Sequence, residues 1–123
     1  MIPPKLKQQI DSDERYRYCL ISNQYPAQIH HAIYGQLRPE RMWNYVPLHI
    51  TLHTEGKHAV HKGNRVKWRG ETFETREICE LFAMARAKKE ELEEFGLTAK
   101  FESLKSNKTL CQYVLQLACV RGF

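Results

Sequence analysis

Histidine is the side chain whose ordinary pKa, about 6.5, leaves it both largely neutral and basic near pH 7, and it is also the commonest metal ligand. This chain has six, His30, His31, His49, His53, His58 and His61, all between positions 30 and 61 of its 123 residues. Imidazoles grouped in this way suit the hydrolysis of a phosphodiester. Water attacks phosphorus in line with the departing 3′ oxygen while negative charge builds on the non-bridging oxygens. The attack needs a base for the water, which imidazole supplies, and a cation for the charge, which a divalent ion held by further imidazoles supplies. It also needs a group that holds the base in one tautomer, for which an asparagine or a backbone carbonyl suffices. Close by, Lys57, Lys62, Arg65, Lys67 and Arg69 fall between positions 57 and 70 with no acidic side chain among them. Such a run is either a solvated loop face or a track for backbone phosphates.

Secondary structure has to bring these side chains together. Over residues 16–21 Tyr16, Tyr18 and Leu20 alternate, which predicts a strand; Ser22-Asn23-Gln24 predicts a turn, and residues 27–33 a returning strand. On a strand adjacent side chains point to opposite faces, so His30 and His31 have different work, one facing a metal and the other the substrate. After a loop with Gly35, Pro39 and Asn44, Pro47 is placed to open a helix carrying Leu48, Ile50, Leu52 and His53, stopped by Gly56. Laid across the hairpin, that helix brings His53 to the two strand histidines. On it His49 and His53 have i, i+4 spacing, by itself a weak sign of joint chelation.

Around this centre, Pro3-Pro4 predicts a short helix through Ile10, ended by Asp11-Ser12-Asp13. Ile78, Leu81, Phe82, Ala85, Leu92 and Phe95 recur at helical spacing and predict one long amphipathic helix over residues 75–96, with Gly96 as its stop. The apolar stretch 109–120 reads as a final helix on length, and Lys105-Ser106-Asn107-Lys108 as a loop. The expected class is α+β in a single domain, residues 1–123: a core over 16–63 with a β-hairpin and helix, and a helical support over 71–123. Trp43 and Trp68 are expected to pack rather than stack on bases.

Nineteen Lys and Arg against fourteen Asp and Glu give a net charge of +5, which favours an anionic partner such as nucleic acid. No apolar run reaches the roughly 18 residues of a membrane span, so no membrane partner and a cytoplasmic location are expected. Cys19, Cys79, Cys111 and Cys119 are widely spaced without a Cys-x-x-Cys and are expected to stay reduced.

Two segments carry a family resemblance. Pro26-Ala-Gln-Ile-His-His31 resembles the Pro-Ala-x-x-His-His segment of small phage and bacterial HNH proteins, the ββα-metal endonucleases. Asn44-Tyr-Val-Pro-Leu-His-Ile-Thr-Leu-His53 is similar to their Asn-x-Ile-Pro-Leu-Cys-x-x-Cys-His segment in length and apolar positions. The likeness spans roughly residues 19–63. It implies a ββα-metal core, His31 as general base, Asn44 as the residue that orients it, and His30 and His53 as metal ligands. Many family members place a last ligand four residues after the helical histidine, where this chain has Lys57. Val60-His61-Lys62-Gly63 resembles the Ile-His-x-Gly segment of phage members, which favours His61, with His58 as runner-up. The two Cys-x-x-Cys pairs that hold a structural zinc in relatives correspond here to Cys19 with Ser22 and His49 with Leu52, so no structural zinc is expected.

The expected cofactor is one divalent ion, Mg, Mn, Zn or Ni. Imidazole ligands suit zinc or nickel, and magnesium prefers oxygen. Three functions follow: a metal-dependent endonuclease, with DNA the expected substrate and a phage or recombination setting implied by the resemblance; a catalytically inactive nucleic-acid-binding module of the same fold; or a phage interaction protein using the charged helix over residues 75–94. A monomeric unit would nick one strand, and double-strand cutting would take a dimer or two encounters.

Overall fold

Proline at a first helical position loses no hydrogen bond and has its φ already set, and α1 (Pro4–Asp11) begins on Pro4 as the sequence predicts. A computed structural model describes residues 2–35, 38–53 and 65–123 of the chain. The architecture is mixed α+β, with two small antiparallel hairpins and several helices among the described residues. β1 (Ala27–His31) pairs with β2 (Tyr45–His49), and a single helical turn, α2 (Ile50–His53), follows β2 directly. β3 (Arg65–Trp68) pairs with β4 (Glu71–Glu74), which leads into α3 (Thr75–Arg86), α4 (Lys89–Glu94), α5 (Thr98–Lys105) and α6 (Lys108–Arg121).

The histidine hairpin is not assembled from the segments expected. Residues 16–21 do not pair with β1. Asp13 accepts a hydrogen bond from Arg15 N at 3.0 Å and starts a 3₁₀ turn over Glu14–Arg17. The chain then closes a tight loop, Cys19 N to Gln24 O at 2.9 Å and Asn23 N to Cys19 O at 3.0 Å. Short polar side chains that bond the local backbone offer it an alternative to a ladder. β2 is the partner instead, and Tyr45, Val46, Pro47 and Leu48 within it are all buried.

Pro47 is the second correction: it stands inside β2 opposite Ile29 rather than opening a helix. Its carbonyl accepts from Leu20 N at 2.8 Å. Within a strand the nitrogen and carbonyl of one residue point to the same side, so the missing N–H faces away from β1 and the ladder loses nothing. The helix therefore starts only at Ile50. His49 ends the strand, with Nδ1 2.9 Å from Thr51 Oγ1, and shares no helix with His53.

The basic run is also more ordered than a loop in its described part. Arg65, Lys67 and Arg69 belong to a hairpin whose Arg69-Gly70 turn has positive φ at both residues, +49° and +81°, the two-residue turn that matches strand twist. Val66 and Trp68 face inward, and Arg65 and Lys67 face solvent. Phe73 stacks on Tyr113 at 6.0 Å and Trp68 meets the same ring at 5.1 Å, which seats the hairpin on α6.

The long helix expected over residues 75–96 is two helices. Ala87 and Lys88 are extended, with ψ of 153° and 152°, although neither Gly nor Pro marks the break. Glu91 explains the restart: Oε1 accepts from Lys88 N at 3.3 Å, and Oε2 accepts from Trp43 Nε1 at 3.0 Å. A glutamate three residues into a helix caps its first turn, and this one also ties α4 to the chain just before β2. α6 matches the final helix expected, with Asn107 Oδ1 accepting from Leu110 N at 3.1 Å at its start.

Leu20, Val46, Leu48, Ile78, Phe82, Met84 and Leu110 lie in one continuous core that β2, α3 and α6 share. Phe123 packs edge-on against Tyr16 at 5.5 Å and Phe82 at 5.1 Å, while Arg121 donates to the carbonyls of Cys19 and Tyr18. The helical half thus braces the turn behind the first hairpin. Among the described residues no helix is long and apolar enough to cross a membrane.

Candidate active site at the end of the first hairpin

β1 carries Gln28 and His30 on one face and His31 on the other, the separation a strand imposes. Because α2 begins where β2 ends, His53 turns back over β1: its ring lies 5.1 Å from that of His30, edge to face, and its Nδ1 is 2.9 Å from Gln28 Oε1. An Nδ1–H donated to Gln28 Oε1 fixes the orientation of the His53 ring, the support that metal-binding histidines usually receive from a second residue. Two imidazoles that share a tetrahedral ion at about 2.1 Å from nitrogen stand roughly 5 Å apart between centroids, a separation that an edge-to-face ring contact such as this one also has.

His31 turns to the opposite face, against Tyr45, its cross-strand neighbour, at 5.0 Å between rings. Its Nε2 is buried and sits 3.4 Å from Glu40 Oε2, close enough for an ion pair but out of line for a hydrogen bond. Glu40 is itself clamped. Arg38 Nε donates to Oε1 at 2.7 Å and Tyr45 OH to Oε2 at 2.5 Å. Burial lowers the pKa of His31, the Arg38 cation lowers it further, and Glu40 opposes both. The ring is therefore a neutral base at pH 7. Burial alone would raise the Glu40 carboxyl, but the bonds from Tyr45 and Arg38, with His31, hold it below the ordinary carboxylate value. Burial and the Glu40 charge together push the Tyr45 phenol up, so it remains a donor.

Asn44 is fully buried, and its bonds go to backbone. Oδ1 accepts from Ile33 N at 2.7 Å, and Nδ2 donates to Ile33 O at 2.8 Å and Pro39 O at 2.9 Å. Its own carbonyl accepts from Ala32 N at 2.9 Å. The residue expected to orient His31 thus bonds the chain two residues after His31 and at the residue before Glu40, and not the imidazole itself.

His30, His31 and His53 meet at a cavity of about 310 Å³ that Ile29, Tyr34 and Arg38 complete. Of the remaining expected site residues, Lys57, His58, His61 and Lys62 lie outside the described residues. Among the described residues no three His, Cys, Asp or Glu side chains gather into a metal-ligating group. No family model, curated protein or solved structure matches the chain. Its chemistry is carried by the geometry alone.

Glu40, Arg38, Gln28 and Tyr45 belong to this site and were not singled out from the sequence. Glu40 had a signal: it is the only acidic residue between Glu14 and Glu55, in the loop that joins the two strands. Gln28 had a weaker one, two residues before His30 and so on the same face of the strand. Cys19 lies in the core, accepting from Ser22 N at 3.4 Å, and Leu52 is buried beside it in the same cluster.

Proposed function

We propose that β1, β2 and α2 form the ββα-metal core of an HNH-type endonuclease, which hydrolyses phosphodiester bonds of DNA with one divalent ion. The observation that carries the reading is that His30, His31 and His53 line one cavity together with Arg38. His30 and His53 hold the ion, with His61 or His58 as the further ligand. When bound, the ion supplies Lewis-acid stabilisation of charge on the phosphate and the departing oxygen.

The chain's own residues supply the rest. His31, neutral at pH 7, takes the proton of the attacking water. Arg38 offers a fixed cation at the cavity wall for a phosphate oxygen. Asn44 and the Ile33 backbone hold His31 in place, and Gln28 holds His53. Lys57, Lys62, Arg65, Lys67 and Arg69 form the basic track for the duplex backbone. Recombination, packaging or defence in a phage setting are the processes that such an activity serves.

The test is incubation of metal-stripped protein with supercoiled plasmid and with single-stranded DNA in magnesium, manganese, nickel or zinc, beside a chelator control. Metal-dependent nicking is expected. No cleavage under any ion, with one metal still bound per chain and salt-sensitive DNA binding, would instead identify a nucleic-acid-binding module of the same fold.

A further inference from the structure

Resting on the nuclease reading of this cavity, we propose that Glu40 is the positioning residue for His31: its carboxylate holds the imidazole with its proton on Nε2 and leaves Nδ1 as the basic nitrogen. A neutral imidazole has one N–H and one lone pair, and a neighbouring group selects which nitrogen carries which. A carboxylate oxygen only accepts. With Oε2 at 3.4 Å from the buried Nε2, the negative charge of the carboxylate disfavours a lone pair on that nitrogen and favours the positive end of an N–H dipole there.

Glu40 is built to stay in that position. Arg38 bonds one of its oxygens and the Tyr45 hydroxyl the other, and Tyr45 is fully buried in β2 directly opposite His31. Asn44 bonds the carbonyl of Pro39, the residue before Glu40. Carboxylate and imidazole therefore approach each other from two chain segments pinned by one asparagine, a fixed relation rather than a chance surface pair. The arrangement assigns to a side chain the work that a backbone carbonyl or an asparagine was expected to do.

Nitrogen-15 NMR of histidine-labelled, metal-stripped protein, at a pH where the ring is neutral and with His31 assigned by its loss in His31→Ala, reads the tautomer without any cleavage. The expected result is the Nε2–H tautomer in the wild type. Glu40→Ala is expected to move the ring to the Nδ1–H form or to a mixture of the two, and Glu40→Gln, whose amide oxygen still favours an N–H beside it, to keep more of the Nε2–H form. An Nδ1–H form in the wild type, or an unchanged tautomer in Glu40→Ala, would overturn the proposal. In cleavage, Glu40→Ala is expected to lower kcat about tenfold or more with KM changed little, and Glu40→Gln to recover part of it; an unchanged kcat in Glu40→Ala would count against it equally. Wild-type protein that cuts nothing defeats the nuclease reading, and the NMR result then still decides Glu40.

Discussion

Asn44 shows how one buried neutral side chain can hold together the loop that joins two strands. Its three side-chain bonds are all to backbone and all to segments flanking His31 or Glu40. Asn44→Ala leaves a buried N–H and two carbonyls without their partner, at roughly 1–3 kcal/mol for each unsatisfied group before relaxation. A loss of about 3 kcal/mol in urea denaturation is expected, and a loss under about 1 kcal/mol would show that these bonds do not bear the loop. Gln28→Ala removes the partner of His53 Nδ1 and is expected to weaken metal binding about 10–100-fold in calorimetry with little change in folding stability. Unchanged affinity would remove Gln28 from the site. That His30, His31 and His53 would lie near one another was legible because their residue types and spacing pointed to a shared place in the fold. Glu40 and Gln28 were not, because glutamate and glutamine are ordinary surface residues until pairing and loop closure set them against an imidazole.

At the scale of elements, the terminal helices were legible and the first hairpin was not. Pro3-Pro4 marked a helix start and length decided the apolar run 109–120 for a helix, whereas Pro47 read as a helix start and stands instead in a strand opposite Ile29, with its carbonyl turned to Leu20. The break at Ala87-Lys88 was hidden because its cause, the bond from Trp43 to Glu91, joins residues distant in sequence. The second hairpin offers separate tests of support and grip. Phe73, nearly fully buried and stacked on Tyr113, is expected to cost about 3–5 kcal/mol when replaced by alanine, read by urea denaturation; a value near zero would mean that the hairpin is not seated on α6. Lys67 is exposed on β3. If it contacts a phosphate, Lys67→Ala reduces the slope of log K against log salt for duplex DNA by about 0.9 while the melting curve stays put, and an unchanged slope would take β3 out of the nucleic-acid surface.

For the molecule as a whole, the helical half and the site share their supports. Glu91 caps α4, receives Trp43 and pairs with Arg41 at 3.4 Å. The Trp43 bond, with those of Lys88 and Arg41, outweighs burial and holds its carboxyl below the ordinary value. A carboxyl depressed on folding stabilises the native state above its unfolded pKa, near about 4.3, and loses that contribution as pH falls through the folded value. Glu91→Gln should therefore melt below wild type at pH 7, and the gap should narrow as the pH falls below about 4; a gap independent of pH would mean that the charge contributes nothing. Glu80, raised by burial despite Lys100 at 2.7 Å, runs the opposite way and partly offsets this acid sensitivity. If the end of the first hairpin is a hydrolytic centre, as proposed, His31 is its base and not a metal ligand. Plasmid nicking and bound metal per chain, compared in wild type and His31→Ala under the working ion, separate these roles. The same metal content is expected in both, with a fall in cleavage of at least about 100-fold in the variant. Cleavage that persists in His31→Ala, or metal lost together with it, would contradict the role assigned to this residue.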